Sequence, residues 1–418
     1  MKVAVIGAGL IGITTAYCLR RRGCEVVLLE RAAGAGLETS FANGAILTPG
    51  MSDPWNAPGC WRVMLRSLVR SDSPLQVRLT RLPSLVRWGV AFLRNSSPRA
   101  FERNTLSNLK LGLYSLDVME ELRRHTNIEY SRAARGTLKI FRDTAALERV
   151  VMVTERLAER GLKARRLSVE QTIELEPTLA PIAGELAGSI HYENDETGDA
   201  YEYCVALAQA AEGEGVEIRY RTPVVSLHVL GKRLTGVVTD CERIEADQYV
   251  VAAGSYSTPL LRSVGVRLPV QPAKGYSVSV DRQMAGIPLA IPIVDDALHA
   301  VITPVGGVLR AAGTAEFAGF DCSPNVARSR NLLHLMRTVF PRGRFDEASA
   351  SYWCGLRPMS ADGVPIVGPT AIDNLFVNTG HGHLGWTLAA GSAQLLTDLL
   401  CGVTPAIETH AYDPRRFG

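Results

Sequence analysis

The first thirty residues constrain this chain more than any other stretch. Lys2-Val3-Ala4-Val5-Ile6 is a short apolar run of the kind buried on both faces of a parallel sheet. Gly7-Ala8-Gly9-Leu10-Ile11-Gly12 follows at once. Ile13 to Arg21 reads as a helix, and Glu25-Val26-Val27-Leu28-Leu29 as a second strand ending in Glu30. Strand, Gly-x-Gly-x-x-Gly turn, helix, strand and acid stand in the order that a dinucleotide site requires. Gly7 permits the tight turn, Gly9 lets backbone approach a pyrophosphate, and Gly12 lets the helix pack on the strand. The helix N-terminus presents N–H groups to phosphate. Glu30 accepts from ribose hydroxyls and repels a 2′-phosphate, which disfavours NADP. The motif does not separate FAD from NAD, and a glycine-rich turn in another α/β domain is the alternative.

A chain of 418 residues suits two domains rather than one core. Its net charge of +3 is too small to argue for nucleic acid. The uncharged stretch Val3–Leu19 follows a lysine, as a signal peptide would, but its glycines belong to the nucleotide turn. No other apolar run approaches the roughly 18 residues of a membrane helix. A cytoplasmic protein without a membrane span is expected. The eight cysteines are scattered, without Cys-x-x-Cys or zinc-finger spacing, so reduced thiols and no metal are expected.

Residues 60–103 hold nine arginines, no lysine and two acids, interleaved with Trp61, Leu65, Leu68, Val69, Leu85, Val86, Trp88 and Phe92. They read as helical segments broken by Pro74, Pro83 and Pro98. Either these helices cover a domain, or they meet an anionic membrane surface peripherally. Further helices are expected at 103–125, 144–161, 200–213, about 324–339 and 386–400. Strands are expected at 136–141, 215–220, 224–230, 234–239, 247–254 and 375–378, with a β-rich stretch at 268–320. The strand before Ala253-Gly254 ends in small residues, which suits a second close approach to a cofactor. Nucleotide-type segments thus recur near the start, the middle and the end. Such interleaving suits a flavoprotein better than a nicotinamide dehydrogenase.

Several stretches resemble the D-amino acid oxidase-type FAD-dependent oxidoreductases, and most closely the bacterial D-amino acid dehydrogenase small subunits. They are Glu38-Thr39-Ser40 to Asn43-Gly44, Pro49-Gly50, Pro54-Trp55, Asn194–Asp199, Gly254–Thr258 and Lys274–Ser277. Gly355–Met359 with Asp362-Gly363, and Asn378–Gly382 with Leu384–Thr387, complete the set. The resemblance spans the chain. It implies an α/β Rossmann-type FAD-binding domain interleaved with an α+β, sheet-based substrate domain. The expected FAD-binding segments are 1–55, 187–262 and 350–418, and the substrate segments 56–186 and 263–349. The implied activity is FAD-dependent oxidative deamination of a D-amino acid. Hydride passes from Cα to flavin N5, giving an imino acid, then a 2-oxo acid and ammonia. Electrons pass to quinone or another respiratory acceptor at the inner membrane. Alternatives are oxidation of D-proline, D-hydroxyproline, glycine or sarcosine, a flavin-binding subunit of a larger complex, and an NAD-dependent dehydrogenase. The oligomeric state is not legible.

Arg357 is the first candidate catalytic residue. A guanidinium holds a substrate carboxylate by two parallel hydrogen bonds, as the arginine of this motif does in related oxidases. The alternative is a structural pair with Asp362. Tyr276 is expected to cap the substrate, or else to be a half-buried strand tyrosine. Lys274 has a weaker claim and reads as a solvated strand-end charge. His381 shapes the ring site or is a turn residue. Cofactor contacts are expected from Gly7, Gly9, Leu10, Ile11, Gly12, Glu30, Arg31, Ser40, Asn43, Gly44, Val224, Ala253, Gly254 and Gly355. Gly380, Gly382, His383, Leu384, Gly385, Trp386 and Thr387 add a turn whose following helix aims its positive end at the flavin. Asn43 has an Asx turn as its alternative, and Asp195-Glu196 an exposed turn. FAD is expected to be non-covalent, despite Cys354 beside the motif. Gly44–Thr48 and His383 depart from the resembled pattern and put the preferred side chain in doubt.

Overall fold

The computed structural model describes residues 1–62 and 75–417. The expected helix positions Leu65, Leu68 and Val69 and the expected break at Pro74 lie outside the described residues. The six-stranded sheet runs Ile366–Pro369, Leu375–Thr379, Gln248–Val251, Lys2–Ile6, Glu25–Leu29, Glu217–Arg219. All neighbours are parallel except the first pair. Period-two alternation builds three layers. Val3, Val5, Val26 and Leu28 face helices Leu10–Arg21, Ala200–Gly213, Pro98–Thr126 and Gly385–Leu400. Ala4, Ile6, Val27 and Leu29 face the antiparallel meander Val224–Leu230, Arg233–Thr239, Arg243–Ile244. Each of these larger aliphatic side chains contributes about 1.5–3 kcal/mol by leaving water.

The second sheet has nine strands. Ser351–Ser360, Val270–Asp281, Val308–Phe317, Ala300–Val305 and Ile293–Asp295 are antiparallel neighbours. Thr137–Phe141 continues it in parallel, then Gly188–Tyr192 and Ala164–Leu167. Helix Val326–Val339 covers the outer face, where Val278, Val280, Leu309 and Ala311 meet Leu332, Leu333 and Met336.

Sheet membership moves two expected boundaries. Gly188–Tyr192 and Ser351–Ser360, assigned from sequence to the FAD-binding segments, pair in the second sheet. Helix Pro98–Thr126, assigned to the substrate segments, packs Leu111, Val118 and Met119 into the nucleotide-type core. Strand pairing and helix faces across hundreds of residues decide this, and neither shows in local periodicity. In the arginine-rich stretch, Leu75–Val77 is a strand and Leu82–Arg94 a helix. Pro83 and Pro98 sit in first helical turns, so they begin helices rather than break them. Among the described residues no helix is long and apolar enough to cross a membrane.

Candidate active site

One elongated cavity of about 1040 Å³ runs from the glycine turn to the inner face of the second sheet. At its first end, Gly7 has φ +103°, and a Cβ there would sit 2.8 Å from the Ala252 carbonyl oxygen. A Cβ on Gly12 would lie 1.7 Å from the Gly7 carbonyl oxygen. Gly12 therefore makes the helix–strand contact and does not line the cavity. Gly9 does line it; its Cβ would meet only Ser40 Oγ, at 3.4 Å. Gly9 also caps the helix without a side-chain hydrogen bond. Ser40 Oγ accepts from the Leu10 N–H at 3.1 Å and fixes the turn. Glu30 is buried, with Oε2 accepting from Ala8 N–H at 2.7 Å and Oε1 from Ala32 N–H at 2.8 Å. Its carboxylate is thereby fixed at the cavity wall. Arg31 lies over the Tyr256 ring at 3.7 Å and pairs with Glu38. Leu10, Ile11, Val224, Ala253 and Gly254 complete this end; Gly254 has φ +53° and open space where a Cβ would go.

These residues fit a bound dinucleotide. The glycines clear backbone at the turn and at the second strand end, a helix N-terminus faces the gap, and a fixed acid stands beyond it. The middle of the cavity is lined by Asn43, Gly44 and Thr48 on one side and Gly382–Thr387 on the other. Asn43 makes the Asx turn: its Oδ1 accepts from Ala45 N–H at 2.9 Å. The Thr48 N–H donates to Thr387 Oγ1 at 2.9 Å, joining the loop to the C-terminal helix. Gly380 is not on the cavity; its φ of +78° turns the chain against Ile366 and Ser360.

The far end holds Arg357, flanked on its strand by Gly355 and Trp353 on the same face. Nη1 of Arg357 donates to the Thr314 carbonyl at 3.3 Å, and its guanidinium lies 5.5 Å from the Trp55 ring. No carboxylate among the described residues pairs with it. Asp362, the alternative partner, is held by Arg416 at 2.8 Å instead. Burial alone pulls the Arg357 pKa down to about 10, so it stays charged at neutral pH. An unpaired, desolvated guanidinium on a cavity wall is an anion site awaiting its anion.

Trp55 stacks on His383 with ring centroids 5.5 Å apart. Trp353 lies over Gly355, whose Cβ would fall 2.1 Å from the indole. Burial, then Arg357, holds the His383 pKa at about 3, and burial alone does the same to His381. Both rings are neutral at working pH. His381 borders the cavity, but its Nε2 lies 2.9 Å from Ser392 Oγ in the C-terminal helix. That contact anchors the turn and leaves the expected catalytic role without geometric support.

Tyr276 corrects another expectation. It borders the cavity, yet its hydroxyl donates to Glu316 Oε2 at 2.5 Å, among the outer-face core residues. Period two puts Gly275 and Arg357 on the inner face and Tyr276 on the outer. Lys274 is not solvated: it is 0% exposed, with Nζ 2.9 Å from the Ser323 carbonyl and 3.5 Å from Glu316. Asp195 and Glu196 are buried, not in an exposed turn. Asp195 accepts from Thr48 Oγ1 at 2.5 Å and Gly50 N–H at 3.2 Å, while Glu196 pairs with Arg123 and Arg132. Trp55, Trp353 and Asp53 line the site but were not among the sequence candidates. Trp353 was reachable, standing two residues before Gly355 and four before Arg357.

Residues 2–399 match the family described as FAD dependent oxidoreductase. A D-amino acid dehydrogenase of Paramagnetospirillum magneticum is 43% identical over 420 residues, covering 100% of this chain and 99% of that protein. One of Rhizorhabdus wittichii is 41% identical, covering 98% of each. Among solved structures, glycine oxidase from Geobacillus kaustophilus aligns with TM-score 0.75 at 23% identity, covering 98% and 97%. L-proline dehydrogenase from P. horikoshii aligns with TM-score 0.78 at 17% identity, covering 100% and 97%. These two likenesses carry the fold alone.

Proposed function

The chain belongs to the FAD-dependent oxidoreductase family, and from that premise we propose that it dehydrogenates D-amino acids at Cα. The observation that carries this reading is the unpaired Arg357 guanidinium on the cavity wall. A free α-carboxylate supplies the missing anion in bidentate geometry, and lysine would not reproduce that fork. The D configuration is supported by the relatives' names and full-length identity.

Bound FAD, without a covalent link, supplies the two-electron oxidant for the Cα–N bond. Gly7, Gly9, Leu10 and Ile11 would hold its pyrophosphate, Glu30 a ribose, and Gly44, Thr48 and Gly382–Thr387 its ring region. The chain's own work is orientation and exclusion of water. Arg357 fixes the carboxylate, and Trp55 with Trp353 walls the reacting carbon. The neutral His381 and His383 add no charge to that wall. No side chain is required as a base once the substrate amine is neutral. The imino acid released hydrolyses to a 2-oxo acid and ammonia.

The proposed acceptor is a quinone, reached at an anionic membrane surface. Leu82, Val86, Val90 and Leu93 form one exposed stripe on helix Leu82–Arg94, beside exposed Arg87 and Arg94. Apolar side chains fringed by arginine are complementary to anionic lipid. Flotation with anionic vesicles at low salt is the expected result; flotation with neutral vesicles alone, or none, contradicts it. For the reaction, dye-coupled turnover of D- over L-enantiomers is expected, and a preference for L-enantiomers contradicts it.

A further inference from the structure

We propose that Asp53, beside the Lys139–Asp296 ion pair, is a second recognition point in the cavity and selects amino acids with a cationic side chain. The inference rests on the reading of this cavity as an amino-acid oxidation site. Asp53 stands two residues before Trp55, on the loop that follows Pro49–Met51, so one loop carries both. The wall beside it comes from Thr137–Phe141 and Ile293–Asp295, parallel neighbours with Val294 opposite Lys139.

The neighbouring carboxylates are already neutralised. Lys139 Nζ holds Asp296 at 2.8 Å. Arg142 holds Asp295 at 3.1 Å, and the Ala297 and Leu298 N–H groups donate to its other oxygen. Asp53 makes no hydrogen bond and no ion pair among the described residues, although it lines the cavity. Burial pushes its carboxyl above the usual carboxylate range; Lys139 opposes this and Asp296 adds to it. A desolvated carboxyl without a partner is costly unless a ligand cation completes it. Lys139 is held by Asp296 and Arg142 by Asp295, so neither cation pairs with Asp53.

The cavity therefore offers a cation at Arg357 and a separate anion at Asp53. An α-carboxylate and a side-chain ammonium or guanidinium match that pair of points. The substrate's own α-ammonium does not match. It must lose its proton before oxidation, and a fixed negative charge would hold the proton on.

The test is dye-coupled kcat/KM of the flavin-loaded enzyme for D-lysine and for D-methionine, a neutral substrate of similar length. Wild type is compared with Asp53→Asn and Asp53→Glu, and retained flavin absorbance checks folding. Wild type is expected to favour D-lysine. Asp53→Asn should lower kcat/KM for D-lysine by about 30-fold or more, through KM, and leave D-methionine within about twofold. Asp53→Glu, which keeps the charge, should keep the preference. An Asp53→Asn variant that changes both substrates equally, or neither, overturns the proposal. Wild type that oxidises D-methionine but not D-lysine overturns this inference alone. Wild type that oxidises no D-amino acid overturns the functional reading beneath it.

Discussion

The guanidinium of Arg357 lies against the bare Cα of Gly275 on the neighbouring strand. A Cβ on Gly275 would sit 2.6 Å from Arg357 Cζ, 2.7 Å from Nη2 and 2.8 Å from Nε. Gly275 thus leaves the space in which the carboxylate anchor is held. It lies within strand Val270–Asp281, so Gly275→Ala is tolerated by the backbone. We predict that Gly275→Ala folds and keeps its flavin but loses about ten- to a hundredfold in kcat/KM for D-alanine, because the fork is displaced. Unchanged kinetics would show that the guanidinium is not held for substrate.

Arg357→Met separates function from stability. The guanidinium has no protein carboxylate to orphan, so its removal relieves a buried charge. The melting temperature should stay level or rise, while kcat/KM falls about a hundredfold or more. Paired thermal melts and steady-state kinetics check this. A large loss of stability would assign Arg357 to the scaffold instead.

Gly9 and Gly12 are three residues apart and should fail differently. Gly12→Ala drives a Cβ to 1.7 Å from the Gly7 carbonyl oxygen and should abolish soluble expression. Gly9→Ala meets only Ser40 Oγ at 3.4 Å. It should give folded protein with little flavin, measured as the ratio of flavin to protein absorbance after purification. Full flavin occupancy in Gly9→Ala would place the pyrophosphate elsewhere.

Asp195 sets a pH dependence. Burial raises its carboxyl from 3.8 to about 7, against the hydrogen bonds from Thr48 and Gly50. Between those values the unfolded chain has released the proton and the folded chain retains it. Stability from this group is therefore present below pH 4 and is lost as pH rises towards 7, on the order of 4 kcal/mol in all. Asp195→Asn removes that loss. Its melting temperature relative to wild type should climb from pH 4 to pH 8. His381 and His383, depressed to about 3, act in the opposite sense between about pH 3 and 6.5, but in both proteins alike, so the difference curve isolates Asp195. A flat difference curve would contradict the assignment.

The parts of the site that are local in sequence were legible. The glycine turn, Glu30, the turn ahead of the C-terminal helix and the small residues at Ala253-Gly254 each declare their geometry within a few positions. Arg357 was singled out through the resembled motif, because an arginine among apolar residues suits a substrate carboxylate and a structural pair with Asp362 equally well. What strand facing and packing decide was not legible. Tyr276 adjoins Gly275 in sequence but points to the other side of the sheet, and Lys274 shares its burial. Asp195 reads as part of a polar turn, yet it is sealed beneath Thr48 by a loop about 150 residues away. Trp55 and Asp53 enter the site only because the segment after Pro49–Met51 folds over the second sheet.

The central claim is that an amino-acid carboxylate anchored by Arg357 presents its Cα–N bond to bound FAD. The most direct measurement is anaerobic titration of the purified protein with D-alanine and with L-alanine, following the flavin band near ~450 nm. Bleaching by D-alanine, absent with L-alanine and shifted to much higher concentration in Arg357→Met, is the predicted result. A flavin band that neither D-alanine nor D-lysine bleaches, or that both enantiomers of alanine bleach alike, would contradict the account.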